Sequence, residues 1–357
     1  MDRTPGDTAR PTFAEEVREA VTGRAALLVI GALVLQLAFI TSYVGAFHAP
    51  KPKDVAVGVV APPALSGQLV ERLGRLPGRA LEVRAVPDRA AAVRQIRERD
   101  LDAALVVDPR STTDTLLVAG GAGSSLAQAT EAVVTRAEAA EQRSLKVTDV
   151  APVAAGDSRG LSSFYLVVGW CVGGYLCAAI LAISAGARPA NARRAGFRLA
   201  ALALYAAVAG LLGAVITGPV LGALPGSVLG LWGLGTLVVF AVGATTLALQ
   251  GLAGIVGIGL AIALVVVLGN PSAGGAYPYP LLPPFWRAIG PALPPGAGTW
   301  SARSIAYFQG NALTCPLLVL SAWAVAGTAV TMACAVFRRR EEEPAGAREP
   351  SSLHPGP

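Results

Sequence analysis

Side chains that could do chemistry are sparse in this sequence and lie away from its apolar stretches. Its two histidines, His48 and His354, fall outside those stretches, whereas its four cysteines fall inside them. A protein zinc site combines several cysteine and histidine ligands at close spacing, so we expect the cysteines to be small packing residues. The sequence therefore predicts no metal and no cofactor bound to this chain itself.

Sequence motifs for energy conversion or hydrolysis are also missing. The chain has no phosphate-binding G-x-x-x-x-G-K-[ST] loop, no nucleophile elbow, no H-E-x-x-H motif and no Cys-x-x-Cys pair. Proton-driven carriers bury acidic or histidine side chains in the membrane, but no such residue occurs between Arg198 and Arg287. We therefore expect that the chain is not an enzyme and that another subunit powers any transport it performs.

A cluster of arginines, without any acid, separates two of the apolar stretches. Its members are Arg188, Arg193, Arg194 and Arg198. Three further arginines, at positions 338–340, follow the last apolar stretch. Because Lys and Arg collect in cytoplasmic loops, we attribute the net charge of +6 to membrane topology and not to nucleic acid binding. The lead (residues 1–24) and the tail (residues 338–357) are both expected in the cytoplasm.

The apolar stretches are long enough to cross a membrane, since one helical crossing needs about 20 apolar residues. Uncharged runs cover residues 25–47, 164–185, 199–221, 228–268 and 313–337. Cytoplasmic termini require an even number of crossings, so the run 228–268 is divided into two near Gln250 and Gly251. We predict a polytopic α-helical protein with six transmembrane helices, embedded in membrane lipid. The composition, rich in arginine, alanine and glycine, favours the plasma membrane of a bacterium.

Residues 48–162 differ sharply in composition and hold most of the acids and bases. Alternating strand and helix patterns predict a small extracytoplasmic α/β domain between helices one and two, followed by a five-helix domain (residues 163–337). The α/β domain carries five arginines that suit either an anion or lipid-headgroup surface or a solvated helix face. They are Arg84, Arg89, Arg94, Arg97 and Arg99. Their mixture with Glu98 and Asp100 favours the solvated face.

The region between the last two apolar runs, the outer segment (residues 270–312), is rich in proline, glycine and aromatic residues. Such a segment can enter the outer leaflet if protein buries its free backbone groups. A re-entrant helical element is favoured over a plain interfacial loop. The candidate residues for this element are Pro283, Phe285, Trp286, Arg287, Pro294 and Pro295.

The order of one span, an α/β domain and five spans resembles the membrane subunits of type-2 ABC exporters. Residues 268–311 resemble the outer segment of the branch that includes the phage-infection-protein (Pip) permeases, although a small α/β domain replaces their long coiled-coil insert. The resemblance implies a homodimer or heterodimer with another permease, paired with a separate nucleotide-binding subunit that holds ATP. It also places the arginine cluster at the ATPase-docking position, and the lead helix (residues 12–23) at that of the elbow helix.

The resulting expectation is an export permease for a hydrophobic or amphipathic substrate, such as a drug, a lipid or a cell-envelope component. A second hypothesis is a non-transporting envelope protein, in which the α/β domain binds a ligand or partner and the helices serve as scaffold. An intramembrane enzyme is the least favoured, because the sequence shows no buried catalytic pair.

Overall fold

The computed structural model describes residues 12, 22–186 and 191–342. Most of the predicted lead helix, Arg188 and most of the tail lie outside these residues. The first described helix, α1 (Gly23–Phe47), is capped by Thr22, whose hydroxyl oxygen accepts a hydrogen bond from the Ala25 N–H at 3.2 Å. Only 6% of its apolar window is buried within the protein, so α1 exposes an apolar surface of the kind that lipid covers.

The α/β domain is built on a five-stranded sheet with the order β2-β1-β3-β4-β5. Its elements are β1 (Val55–Val60), α2 (Pro63–Gly74), β2 (Leu81–Ala85), α3 (Arg89–Glu98), β3 (Ala103–Val106), β4 (Thr113–Val118), α4 (Ser124–Ala139) and β5 (Ser144–Asp149). The β3–β4 pair is antiparallel and the others are parallel. Because α2 and α4 cover one sheet face and α3 covers the other, the inner strands β1 and β3 are apolar on both sides, as buried strands require, whereas the edge strands β2 and β5 carry polar residues. The predicted α/β domain is therefore present.

Three long helices follow: α5 (Ser162–Ala185), α6 (Ala192–Val215) and α7 (Val228–Ala253). The predicted division near Gln250 is misplaced by about one helical turn, because α7 continues to Ala253 and breaks at Gly254, which has φ 62° and ψ −135°. Gln250 does not end the helix because its side chain is fully buried and its amide donates to the Ala178 carbonyl at 3.4 Å.

After the break come α8 (Val256–Ser272), α9 (Pro284–Ile289), α10 (Pro294–Tyr307) and α11 (Thr314–Glu342). The described residues contain five helices long and apolar enough to cross a membrane: α1, α5, α6, α7 and α11. The remaining candidate, α8, is shorter and includes a π-helical stretch, Ala263–Gly269. The chain is thus a mostly helical, polytopic type of protein with a small α/β domain.

The α/β domain and the outer segment lie together at one end of the helix bundle. The Ser125 hydroxyl donates to the Ala276 carbonyl at 2.9 Å, and the Lys53 N–H donates to the Pro280 carbonyl at 2.9 Å. The end of α1 reaches the same place, where the Phe47 and Tyr277 rings lie 5.6 Å apart. The outer segment therefore forms the floor on which the α/β domain rests.

Candidate functional site

The helix α10 is the centre of this junction, and one of its faces carries nearly all of the polar contacts. Trp300, Arg303, Ser304 and Tyr307 follow the spacing i, i+3, i+4 and i+7, which places them on one side of a helix. Trp300 and Ser304 bind Arg99 of the α/β domain, whereas Arg303 and Tyr307 bind the turns next to α5 and α8. α10 therefore acts as the element that joins the bundle to the α/β domain.

Arg303 is a buried cation on this face, with 3% of its surface exposed. Its guanidinium donates to the carbonyls of Gly274 at 2.6 Å, Gly275 at 2.7 Å and Gly160 at 3.4 Å. No acid of the described residues forms an ion pair with Arg303 within 4 Å, so carbonyl dipoles solvate its buried charge. The contact ties the turn before α5 to the turn after α8.

Tyr307 extends the same junction one turn further along α10. Its hydroxyl donates to Asp157 Oδ2 at 2.7 Å. The other oxygen of Asp157 accepts from the backbone N–H groups of Leu161 and Ser162, each at 2.9 Å. Asp157 therefore satisfies free donors at the start of α5, where a helix leaves its first N–H groups unpaired, and Tyr307 fixes the position of that carboxylate.

Arg99 links the α/β domain to α10 from the other side. It donates to the Trp300 carbonyl at 2.9 Å and to the Ser304 hydroxyl at 2.7 Å, and its guanidinium lies 3.4 Å from the centre of the Trp300 ring. Burial lowers the pKa of Arg99, and the neighbouring charge of Arg303 acts in the same direction. Arginine has such a high reference pKa that it remains a cation at neutral pH.

The prediction that all five domain arginines form a solvated face is wrong for Arg99. Arg89, Arg94 and Arg97 are exposed on α3, as that prediction requires, whereas Arg84 is exposed on the strand β2 and not on a helix. Arg99 instead ends α3 in the left-handed conformation, with φ 67°, and this turn directs its side chain away from the helix face and toward α10. The helical periodicity of α3 could not predict this direction, because Arg99 lies beyond the last residue of the helix.

The candidate residues of the outer segment divide into two groups. Pro294 and Pro295 are buried at the start of α10, and Pro283 precedes α9. Proline suits the first turn of a helix, because a backbone N–H at that position would have no partner within the helix and proline has none to leave unpaired. Phe285 is 56% exposed and packs against Trp286 with ring centres 4.9 Å apart.

Arg287 holds α9 to the start of the α/β domain. Its guanidinium donates to the Lys53 carbonyl at 2.8 Å and lies 3.6 Å from Asp54 Oδ2. The outer segment thus contains the helices α9 and α10. Sequence reasoning had not singled out Arg303, the residue that anchors this element.

Arg193, Arg194 and Arg198 lie in a helix and not in a loop, which corrects the predicted boundary at residue 199. α6 already begins at Ala192, because the Asn191 side chain caps it by accepting from the Arg194 N–H at 2.9 Å. Arg193 and Arg194 are exposed in the first turn. Arg198 is buried and donates to the Gly186 carbonyl at 2.8 Å.

An apolar groove of about 550 Å³ runs between α5 and α6 near the α/β domain. We call it the α5–α6 groove. Among the described residues that line it there is no charged side chain. Its walls include Tyr165, Gly169, Trp170, Gly173, Tyr205 and Leu212. Trp170 is held in place by its indole N–H, which donates to the Ala209 carbonyl at 3.2 Å.

The described residues contain no group of three or more His, Cys, Asp or Glu side chains that could hold a metal ion. Comparison with known proteins gives no family assignment. No protein-family model matches the chain, and no curated protein or solved structure matches it.

Replacing Arg99 with alanine is expected to loosen the α/β domain from α10. The change removes two charge-assisted hydrogen bonds, worth about 1.5–3 kcal/mol each, and a cation–π contact worth about 2 kcal/mol. Hydrogen exchange of the full chain in detergent should show faster exchange of the α10 amides. Arg94→Ala is the matched control, because Arg94 is exposed on the same domain. Equal exchange in the two variants would contradict the role of Arg99.

Proposed function

We propose that the chain is the permease subunit of a type-2 ABC exporter and that it exports a hydrophobic or amphipathic substrate. The observation that carries the proposal is the α5–α6 groove. Its volume of about 550 Å³ falls within the roughly 300–1,000 Å³ of small-molecule sites. An uncharged lining suits a lipid-like or drug-like molecule and offers nothing to hydrate an ion.

The proposed topology has six crossings, with α8 as the fifth in chain order. α8 starts at the break after α7 and ends at the junction with the outer segment, so it runs the length of the bundle. Its rise is about 26 Å at 1.5 Å per residue, somewhat short of the roughly 30 Å hydrocarbon core. The buried outer segment extends the protein beyond the end of α8, and this extra length compensates for the shortness of the helix.

The same proposal places the α/β domain outside a bacterial plasma membrane and both termini in the cytoplasm. The exposed arginines of the first turn of α6, Arg193 and Arg194, then face the cytoplasm, in agreement with the preference of basic residues for that side. Energy comes from ATP on a separate nucleotide-binding subunit. Two permease chains, identical or different, complete the transporter.

Co-purification with a candidate ATPase tests this function. The chain is expressed together with an ATPase subunit encoded by a neighbouring gene, and the complex is isolated through a tag on the permease. A stable complex whose ATPase activity responds to hydrophobic compounds supports the proposal. Failure of every such ATPase to bind would remove it and leave the alternative, a non-transporting envelope scaffold whose α/β domain binds a ligand or partner.

Reversal of charge at Arg193 and Arg194 is expected to disturb membrane topology or ATPase docking. The double variant Arg193→Glu, Arg194→Glu removes the exposed positive charge from the proposed cytoplasmic side. The measurements are accessibility of the termini in intact cells and recovery of the ATPase complex. The control is Arg89→Glu, Arg94→Glu, an equal charge change on exposed residues of the α/β domain. Unchanged topology together with an unchanged complex would contradict the placement.

A further inference from the structure

The α/β domain buries two acids side by side at the end of the sheet farther from α10. Glu138, in the last turn of α4, is 1% exposed, and Asp114 of β4 is fully buried. Acids are rarely buried completely unless they are paired. They border a cavity of about 700 Å³ between α2, the end of α4 and the loop before β4.

Two arginines neutralise part of this cluster. Arg143 binds Asp114 with both arms, through Nε at 2.6 Å and Nη2 at 2.7 Å. Arg72 of α2 donates to Glu138 Oε1 at 2.9 Å and also pairs with Glu141 at 3.1 Å. The guanidiniums are thus committed to Asp114 and to one oxygen of Glu138.

The second oxygen of Glu138 is the unexplained atom of the cluster. Oε2 is buried without a hydrogen-bond partner, and Arg143 Nε lies 3.7 Å away from it. The carboxyls of Glu138 and Asp114 face the same nitrogen, Arg143 Nε, which lies 2.6 Å from Asp114 Oδ2 and 3.7 Å from Glu138 Oε2. Two ionised carboxylates only accept hydrogen bonds, so a hydrogen bond between them needs a proton. A protonated Glu138 supplies the missing donor.

The charges that face Glu138 from each neighbouring element agree with a bound proton. They are Arg72 on α2, Asp108 before β4, Asp114 on β4, and Glu141 and Arg143 after α4. Burial and then the contact with Asp114 raise the pKa of Glu138 to about 7. Burial alone would raise the pKa of Asp114, but its hydrogen bonds, led by that from Arg143, hold it below the usual value.

We propose that the Asp114–Glu138 pair is a proton-operated latch that fastens the end of α4 to β4. With the proton present, Glu138 donates to Asp114 and accepts from Arg72, and the cavity wall is closed. When the proton leaves, two negative charges face each other and Oε2 has no donor. Water must then enter from the cavity, and the end of α4 separates from β4. The latch operates whether or not the chain exports anything.

The direction of the pH dependence follows from the raised pKa. The folded domain binds the Glu138 proton more tightly than the unfolded chain, whose glutamate has a pKa of 4.5. The contribution of the Glu138 proton to the free energy of unfolding is therefore largest below about pH 4.5. It decreases as the pH rises to about 7 and does not change further above that pH. Opening of the latch therefore increases on the alkaline side.

Hydrogen exchange of the full chain in detergent, corrected for intrinsic rates, measures the latch. From about pH 5.5 to about pH 8, the amides of residues 136–143 should lose roughly thirtyfold protection. Glu138→Gln should remain protected throughout, since its amide donates to Asp114 without losing a proton. Glu141→Gln, an exposed neighbour that also contacts Arg72, should respond like the unmodified chain. A pH response that survives Glu138→Gln, or none in the unmodified chain, would overturn the latch.

Infrared spectroscopy provides a test that does not depend on the folding of Glu138→Gln. The unmodified chain should show the carbonyl band of a protonated carboxylic acid that disappears between about pH 6 and about pH 8. Burial also raises the pKa of Asp102, so Asp102 is a second acid that could give this band. The variant Asp102→Asn shows which of the two acids gives it. The band should persist in that variant. Its loss there, or its absence from the unmodified chain at about pH 6, would count against Glu138.

Discussion

Arg303→Met is expected to displace the outer segment from the helix bundle and to lower the stability of the chain by several kcal/mol. The substitution keeps the length of the side chain but leaves three backbone carbonyls without their donor, each at a cost of about 1–3 kcal/mol. Because whole proteins are stable by only about 5–15 kcal/mol, this is a large fraction of the total. Arg303→Lys should recover little, since an ammonium lacks the planar arrangement of donors that reaches several acceptors.

Thermal unfolding in detergent and the yield of monodisperse protein measure this effect. Arg287→Met is the matched control, because Arg287 lies in the same outer segment, is one-third exposed and has one backbone carbonyl partner. Its loss should cost about 1.5–3 kcal/mol, as for one hydrogen bond from a charged group, which is less than the loss of three such bonds. If Arg303→Met unfolds at the same temperature as Arg287→Met, the junction does not depend on Arg303.

The secondary structure could be predicted because it depends on local patterns. Long uncharged runs indicated α1, α5, α6, α7 and α11, and apolar strands between amphipathic helices indicated the α/β domain. The break after α7 was misplaced because polarity at Gln250 suggests a helix end. In the structure its amide finds an acceptor on α5, the Ala178 carbonyl, and the flexible backbone of Gly254 makes the turn.

The junction could not be predicted because its partners are distant in the sequence. Arg99 contacts residues 300 and 304, and Arg303 contacts residue 160. The spacing of apolar residues in α3 does not indicate which other element packs against the end of this helix. The sequence did contain one signal. One face of α10 carries the polar and aromatic residues Trp300, Arg303, Ser304 and Tyr307, and such a face is unusual in a segment expected to lie within a membrane protein. A buried arginine on such a face requires several acceptors close by, which the glycine turns provide.

Filling the α5–α6 groove is expected to remove binding of apolar ligands without unfolding the protein. A Cβ added at Gly169 meets no atom within 4 Å, so Gly169→Phe can be built, and its ring would occupy the groove. Glycine in the interior of a helix costs about 0.5–1 kcal/mol relative to alanine, and phenylalanine, although a weaker helix former than alanine, is still a better one than glycine. The variant should therefore unfold at the same temperature as the unmodified chain or slightly higher, which separates a filled groove from a damaged fold.

Photo-crosslinking in proteoliposomes with a diazirine-bearing fatty acid shows which residues an apolar molecule contacts in the groove. The measured quantity is the extent of labelling of each residue. Labelling of Trp170, which is 4% exposed and reachable mainly through the groove, should fall roughly tenfold, the effect of about 1.4 kcal/mol in affinity. Gly233→Phe is the matched control, because a Cβ there also meets no atom within 4 Å but lies on α7 outside the groove. Export by the complex with its ATPase should fail in Gly169→Phe and persist in Gly233→Phe. Equal labelling of Trp170 in both variants would show that apolar molecules do not enter between α5 and α6, and the proposed substrate path would have to be abandoned.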